Sequence, residues 1–256
     1  MRFSANLGFL WSDRPLPAAI RAAKDAGFAA VECHWPYDVE AGEVRAALNE
    51  TGLPMLGLNT RRGDVAAGEN GLSALPGRVG DARAAIEEAV VYGSEIEAQA
   101  VHIMAGFAHG REARDTFIDN LRFAAAYAGQ AGMVLLLEPL NRHDAPGYFL
   151  QTTDQAARII DDVAAPNVKL MFDCYHVGRT EGDLITRFEA LLPIIGHVQF
   201  AGVPSRGTPD QGEVSYDAVF QAFTALGWNK PLGAEYKPTG PTDASLDWMA
   251  RYRSSE

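Results

Sequence analysis

Eight short apolar runs alternate along this chain with eight longer stretches of helical period, and that alternation limits the folds open to it. The runs lie at 2–8, 29–34, 53–59, 98–106, 133–139, 167–173, 195–200 and 232–238. The helical stretches lie at 16–27, 43–52, 80–96, 113–132, 152–162, 182–193, 215–227 and 243–252. Runs rich in Val, Ile, Leu and Phe, several of them near-continuous, suit parallel strands covered on both faces. Strand and helix alternating eight times predict an α/β protein, a single-domain (β/α)8 barrel over residues 1–256. A doubly wound sheet needs a Gly-rich phosphate turn after its first strand, and "SANLGFLW" supplies none. Gly27 and Gly52 are expected to end the first two helices. Thr153 and Ser215 are expected to cap the starts of the fifth and seventh. The stretch 60–79 is the longest without regular pattern, and is either a lid or a loose surface insertion.

Composition excludes little more. A length of 256 residues suits one such barrel, and 47% apolar content is enough for a full core. A net charge of −11 is the opposite of a nucleic-acid footprint. Two distant cysteines, Cys33 and Cys174, have no metal-type spacing. They read as buried small apolar residues in a reducing compartment. No charged leader precedes the first apolar run and no run nears the ~20 residues of a membrane span, so a cytoplasmic protein is expected.

In a barrel of this kind function sits where the strands end. Strand 1 brings Asn6, strand 2 Glu32, strand 3 Asn59 and strand 4 His102. Strands 5 to 8 bring Glu138, Asp173 (with His176 just beyond), Gln199 and Glu235. Any one of the last four read singly could be a solvated rim residue. Together they fall at equivalent positions on four successive strands, and three are carboxylates that would repel one another in a closed space. A divalent cation balances them, and an oxygen-only donor set favours Mg²⁺ or Mn²⁺ over Zn²⁺ or Cu²⁺. Asn6 and His102 face the same mouth and are expected to touch substrate, although a packed polar residue is the plainer reading of His102.

These pieces together resemble the hydroxypyruvate isomerase family of the xylose-isomerase-like TIM barrels, close to the 2-oxo-tetronate isomerases. The resemblance is carried by "RFSANLGFLW", "FAAVECHWPYD", "GDVAAGENGLSALPGR", "LLLEPLNRHDAPGYFL", "FDCYHV", "GHVQFAGVPSRGTPDQGEVSYDAVF" and "GAEYKP", which run from end to end of the chain. It implies that Glu138 and Glu235 are both metal ligands and the catalytic acid–base pair, with Asp173 and Gln199 completing the metal site. It implies that His176 and Arg206 contact substrate oxygens. Related ketose epimerases have histidine where this chain has Gln199, which favours the isomerase branch. Two departures fall where substrate is chosen: Ser205 stands before Arg206, and Asn70 where arginine is common.

The reaction implied is isomerisation of a small hydroxy-keto acid through an enediolate that the metal stabilises as a Lewis acid. Hydroxypyruvate going to tartronate semialdehyde leads, with a 2-oxo-tetronate as the four-carbon alternative. Arg206 offers a planar fork for the substrate carboxylate. A ketose 3-epimerase and a non-catalytic small-molecule binding barrel are the other readings. A DNA-repair nuclease of the same barrel type wants more histidines than the six present, and a basic groove. Membrane and nucleic acid are not expected as partners, and a homo-oligomer is left open.

Overall fold

The computed structural model describes residues 1–252; the last four residues of the expected domain lie outside that range. Eight parallel strands form one sheet in the order β2-β1-β8-β7-β6-β5-β4-β3. They are β1 (Phe3–Asn6), β2 (Ala30–Glu32), β3 (Leu58–Asn59), β4 (Ala100–His102), β5 (Val134–Leu137), β6 (Val168–Asp173), β7 (Ile195–Phe200) and β8 (Leu232–Ala234). The sheet closes between β2 and β3, where Val31 bridges Met55 and the Leu56 N–H donates to the Val31 carbonyl at 2.7 Å. The expected third strand, 53–59, is regular only over its last two residues. Pro54 has no N–H to give a ladder, so the closing segment is held by single bonds instead.

Side-chain alternation sorts each strand into an outer and an inner set. Leu135 and Leu137 join the large core between sheet and helices, while Leu136 points inward to pack on Ala100 and Met171. The same parity turns Glu138 inward two residues later. It likewise carries His102 above Ala100 and Asp173 above Met171, so the apolar inner floor is overlain by polar side chains at the C-terminal mouth.

The helices are α1 (Leu16–Asp25), α2 (Ala41–Thr51), α3 (Val79–Glu95), α4 (Gly110–Gln130), α5 (Thr153–Val163), α6 (Cys174–Thr180), α7 (Leu184–Leu191) and α8 (Tyr216–Ala225). Gly27 and Gly52 follow α1 and α2 with φ of 89° and 68°, as expected of helix-ending glycines. The α5 cap is Thr152 and not Thr153: the Thr152 hydroxyl accepts from the Gln155 N–H at 3.2 Å. Thr153 instead donates to Glu181. Ser215 does occupy the position before α8, but makes no side-chain cap bond there.

Two elements depart from the expected pattern. α6 is a short helix that starts directly at the end of β6, with Asp173 as its cap. The expected last helix, 243–252, is a pair of 3₁₀ turns, Thr242–Ser245 and Asp247–Tyr252. Side chains claim the carbonyls an α-helix would use there: Ser245 Oγ donates to the Thr242 carbonyl at 2.7 Å, and the Tyr236 hydroxyl to the Ser245 carbonyl at 3.1 Å. Trp248 and Tyr252 from this segment pack against Phe3 at 4.9 and 5.6 Å between ring centroids, which seals the outer face of β1.

The stretch 60–79 is not a loose insertion throughout. Leu72, Ser73 and Ala74 are buried, and the Ala74 N–H donates to the Ala105 carbonyl at 2.8 Å. Residues 63–68 form its exposed tip.

Candidate active site

The mouth of the barrel collects Asn6, His102, Glu138, Asp173, His176, Gln199 and Glu235, all buried. Register places Asp173 directly beside Gln199 on the β6–β7 ladder. Glu138 faces two imidazoles, His102 Nδ1 at 3.5 Å and His176 Nε2 at 3.7 Å. Asp173 uses Oδ1 to accept the Tyr175 N–H at 2.7 Å, which leaves Oδ2 turned to the mouth, 3.6 Å from His176 Nε2.

Glu235 has a different setting. Its Oε1 accepts from Asn6 Nδ2 at 3.1 Å and lies 3.0 Å from His34 Nε2; its Oε2 accepts from Arg206 Nη2 at 2.5 Å. Arg206 also lies 3.9 Å from Asp173 Oδ2, with its guanidinium against the rings of Phe9 and Tyr175 at 4.9 and 5.0 Å. It is thus held at the mouth, and its fork is directed at Glu235.

Burial pushes the Glu138 carboxyl well above the usual range, and the charges of Glu235 and Asp173 add to it. Burial also raises Asp173, to about 7, with Glu235 as the next cause. For Glu235 burial works in the same direction but loses to Arg206 and His34, which hold it below the usual range. Burial lowers His102 to about 4 and His176 to about 3, so both rings are neutral near pH 7.

Among the described residues, three buried oxygens at this mouth have no hydrogen-bond partner: Glu138 Oε1, Asp173 Oδ2 and Gln199 Oε1. Buried acceptors are seldom left so, and three at one mouth fit a hard divalent cation. Glu138, Asp173 and His176 also each offer an atom within 4.8 Å of one another. His176 differs from the other two. Its Nδ1 accepts from the Asn141 backbone N–H at 2.9 Å, so a neutral ring carries its proton on Nε2. The nitrogen that faces Glu138 and Asp173 is therefore a donor, which suits contact with a substrate oxygen better than ligation.

Several members of the site escaped the sequence. His34 follows Glu32 by two residues, so strand parity alone would have turned it inward. Its ring lies where a side chain at position 8 would stand: a Cβ on Gly8 would fall 2.0 Å from His34 Nδ1. Asn141 and Asp144 hold His176 and Tyr175 from the turn after β5, at 2.9 and 2.6 Å. No spacing in the sequence announces that pairing across more than thirty residues.

Comparison with known proteins places this architecture. The sequence model of the xylose isomerase-like TIM barrel family matches residues 20–252. The chain is 41% identical over 255 residues to the 2-oxo-tetronate isomerase of Cupriavidus necator, covering 98% of both chains. It is 42% identical over 263 residues to a putative hydroxypyruvate isomerase of Xenopus laevis, covering 98% of this chain and 96% of that one. A solved structure from Brucella melitensis named as an AP endonuclease of family 2 superposes with a TM-score of 0.94 at 36% identity, over 99% of both chains. The chain belongs to the xylose isomerase-like TIM barrel family. Within it, the chain is an enzyme of the isomerase class, of the aldose–ketose type. Among the described residues no helix is long and apolar enough to cross a membrane.

Proposed function

We propose that the chain is a divalent-metal-dependent isomerase of a small hydroxy-keto acid, and that hydroxypyruvate going to tartronate semialdehyde is its reaction. The observation that carries this is the pair of buried glutamates ending β5 and β8, one pushed toward its protonated form and the other held ionised. Two carboxyls driven apart in this way are what a proton shuttle between neighbouring carbons needs. The four-carbon 2-oxo-tetronate is the second reading, favoured by the name of the Cupriavidus necator relative.

Glu138, Asp173, Gln199 and Glu235 would hold Mg²⁺ or Mn²⁺. When bound, the ion supplies Lewis-acid stabilisation of negative charge on the substrate oxygens. The chain's own groups do the rest. Glu235 takes a proton from C3 of hydroxypyruvate, leaving an enediolate; the proton of the C3 hydroxyl passes to the C2 oxygen, the opposed Glu138 carboxyl returns a proton to C2, and the two carboxyls re-equilibrate with solvent before the next turnover. The Nε2–H of His176 points to where a substrate oxygen would lie. Asn6 and His34 keep Glu235 aimed. Arg206 and His102 complete the wall, and Arg206 can meet the substrate carboxylate if its fork leaves Glu235. With every one of these carboxylates buried, a small acid fits this mouth better than a phosphodiester backbone does, and the net charge of −11 points the same way.

The deciding measurement is a panel of three- and four-carbon hydroxy-keto acids and free ketoses, followed by NMR in D2O with added Mn²⁺. Deuterium entering C3 of hydroxypyruvate and C2 of tartronate semialdehyde supports the first reading. Turnover confined to ketoses overturns it in favour of an epimerase, and no exchange in any compound overturns the small hydroxy-keto acid as substrate. EDTA is expected to abolish exchange and Mn²⁺ to restore it; full activity in a verified metal-free sample removes the metal from the scheme.

A further inference from the structure

One more carboxylate lies inside the barrel, and the proposed reaction has no use for it. Glu32 ends β2 and is buried. Its Oε2 accepts from Gln199 Nε2 at 3.1 Å and lies 2.7 Å from His197 Nε2, and its Oε1 accepts from Ser4 Oγ at 3.3 Å. The sheet makes room for it: a Cβ at Gly233 would stand 2.2 Å from Glu32 Oε1 and 2.9 Å from Gln199 Cγ. Burying a carboxylate is costly unless donors surround it. Here β1, β2, β7 and β8 all contribute to a setting that does surround it.

The consequence falls on Gln199. A side-chain amide can sit in one slot with either end forward, because its oxygen and nitrogen are nearly equal in size. A carboxylate only accepts. With Glu32 behind it, the amide is satisfied only when its nitrogen faces into the barrel; the reverse sets oxygen against oxygen. Gln199 Oε1 is then turned away from Glu32, buried and without a partner, next to Asp173 on the neighbouring strand. We propose that Glu32 is a positioning residue that orients Gln199 so that its oxygen, and not its NH2 group, is presented to the divalent cation. His197 and Ser4 fix Glu32 in turn. The proposal rests on the metal-site reading given above, and partners behind a ligand commonly govern metal affinity in this way.

The test is Mn²⁺ binding to the metal-free protein, read from the EPR signal of the free ion and independent of turnover. In Glu32→Gln the residue behind Gln199 can satisfy either end of the amide, so the preference is lost. Affinity is expected to fall by roughly tenfold or more. The exchanged pair Glu32→Gln with Gln199→Glu puts the amide below and the carboxylate above, and is expected to recover most of the lost affinity. A purely structural role for Glu32 would lower the melting temperature, leave Mn²⁺ affinity alone and give no recovery in the exchange. Wild-type affinity in Glu32→Gln overturns the proposal, as does an exchanged pair that binds no better than the single variant. If Glu32→Gln does not fold, the exchanged pair is read against wild type, and Mn²⁺ affinity weaker than wild type by roughly tenfold or more overturns the proposal. A wild-type protein that binds no Mn²⁺ removes the metal-site reading itself, and this inference with it.

Discussion

The ends of β5 and β8 carry the same residue type at matching positions, and the barrel treats them oppositely. Glu138 follows three leucines and meets two neutral imidazoles at 3.5 and 3.7 Å. Glu235 meets a guanidinium, an amide and an imidazole, all within 3.1 Å. Strand position delivers both carboxyls to the mouth, but the loops decide their charge. Arg206 comes from the loop after β7 and His34 from the segment after β2; among the described residues no guanidinium lies at hydrogen-bond distance from Glu138, and its two imidazoles stand off at 3.5 and 3.7 Å.

The widest test of this asymmetry removes each carboxylate in turn. Glu138→Gln and Glu235→Gln should each lower turnover by roughly 10²- to 10⁴-fold with the fold kept, measured by circular dichroism beside solvent deuterium exchange. Near-normal turnover in either would sink the two-glutamate scheme.

The next test uses stability. Asp173 is raised from 3.8 to about 7 in the folded state, and Glu138 is raised as well. A raised folded value means that the stability is fully present below the unfolded value near 4 and is lost as pH climbs through the folded value. His102 and His176, lowered to about 4 and about 3, work the other way up to about pH 6.5, so the effect is read against Asp173→Asn, which keeps both rings: relative to that variant, metal-free wild-type protein should lose stability from pH 5 to pH 8. Over this interval the loss from Asp173 alone is at most about 3 kcal/mol. Added Mn²⁺ should cancel much of it. A wild-type melting temperature that gains on that of Asp173→Asn over this interval would contradict the assignment.

A smaller effect should come from Arg206→Met. It removes the main partner that holds Glu235 ionised, so kcat/KM should drop roughly 10- to 100-fold, as for loss of a charged hydrogen bond. The acid limb of the rate profile should move to higher pH, because Glu235 then needs less acid to protonate. An unmoved limb would mean that Arg206 acts on the substrate alone. Asn6→Ala should be mildest, about 1 kcal/mol or roughly fivefold in kcat/KM, since it removes one of three partners. If it equals Arg206→Met, the ranking of neighbours around Glu235 is wrong.

The barrel and its inward-facing strand ends were legible because parallel strands write burial directly into short apolar runs, and parity then says where a charge must point. Glu138, Asp173, Gln199 and Glu235 needed nothing more. Arg206 could be placed at the mouth by its loop, but its aim could not be read, because Glu235 lies 29 residues away and captures the fork. Asn141 and the last helix failed for a related reason. Side chains there bond backbone groups chosen by the tertiary fold, and no local period records such a choice. Thr152 and Thr153 are adjacent and chemically identical, so only the helix's actual start separates them.

Gly8 carries no functional group, yet the His34 ring fills the volume that its side chain would need, 2.0 Å from where a Cβ would sit. The imidazole beside Glu235 is therefore held partly by an omission. In a scan of single substitutions, position 8 should look as intolerant as a catalytic residue, and alanine should be nearly as harmful there as a large side chain. A search for the active site that scores only side-chain chemistry would pass over it.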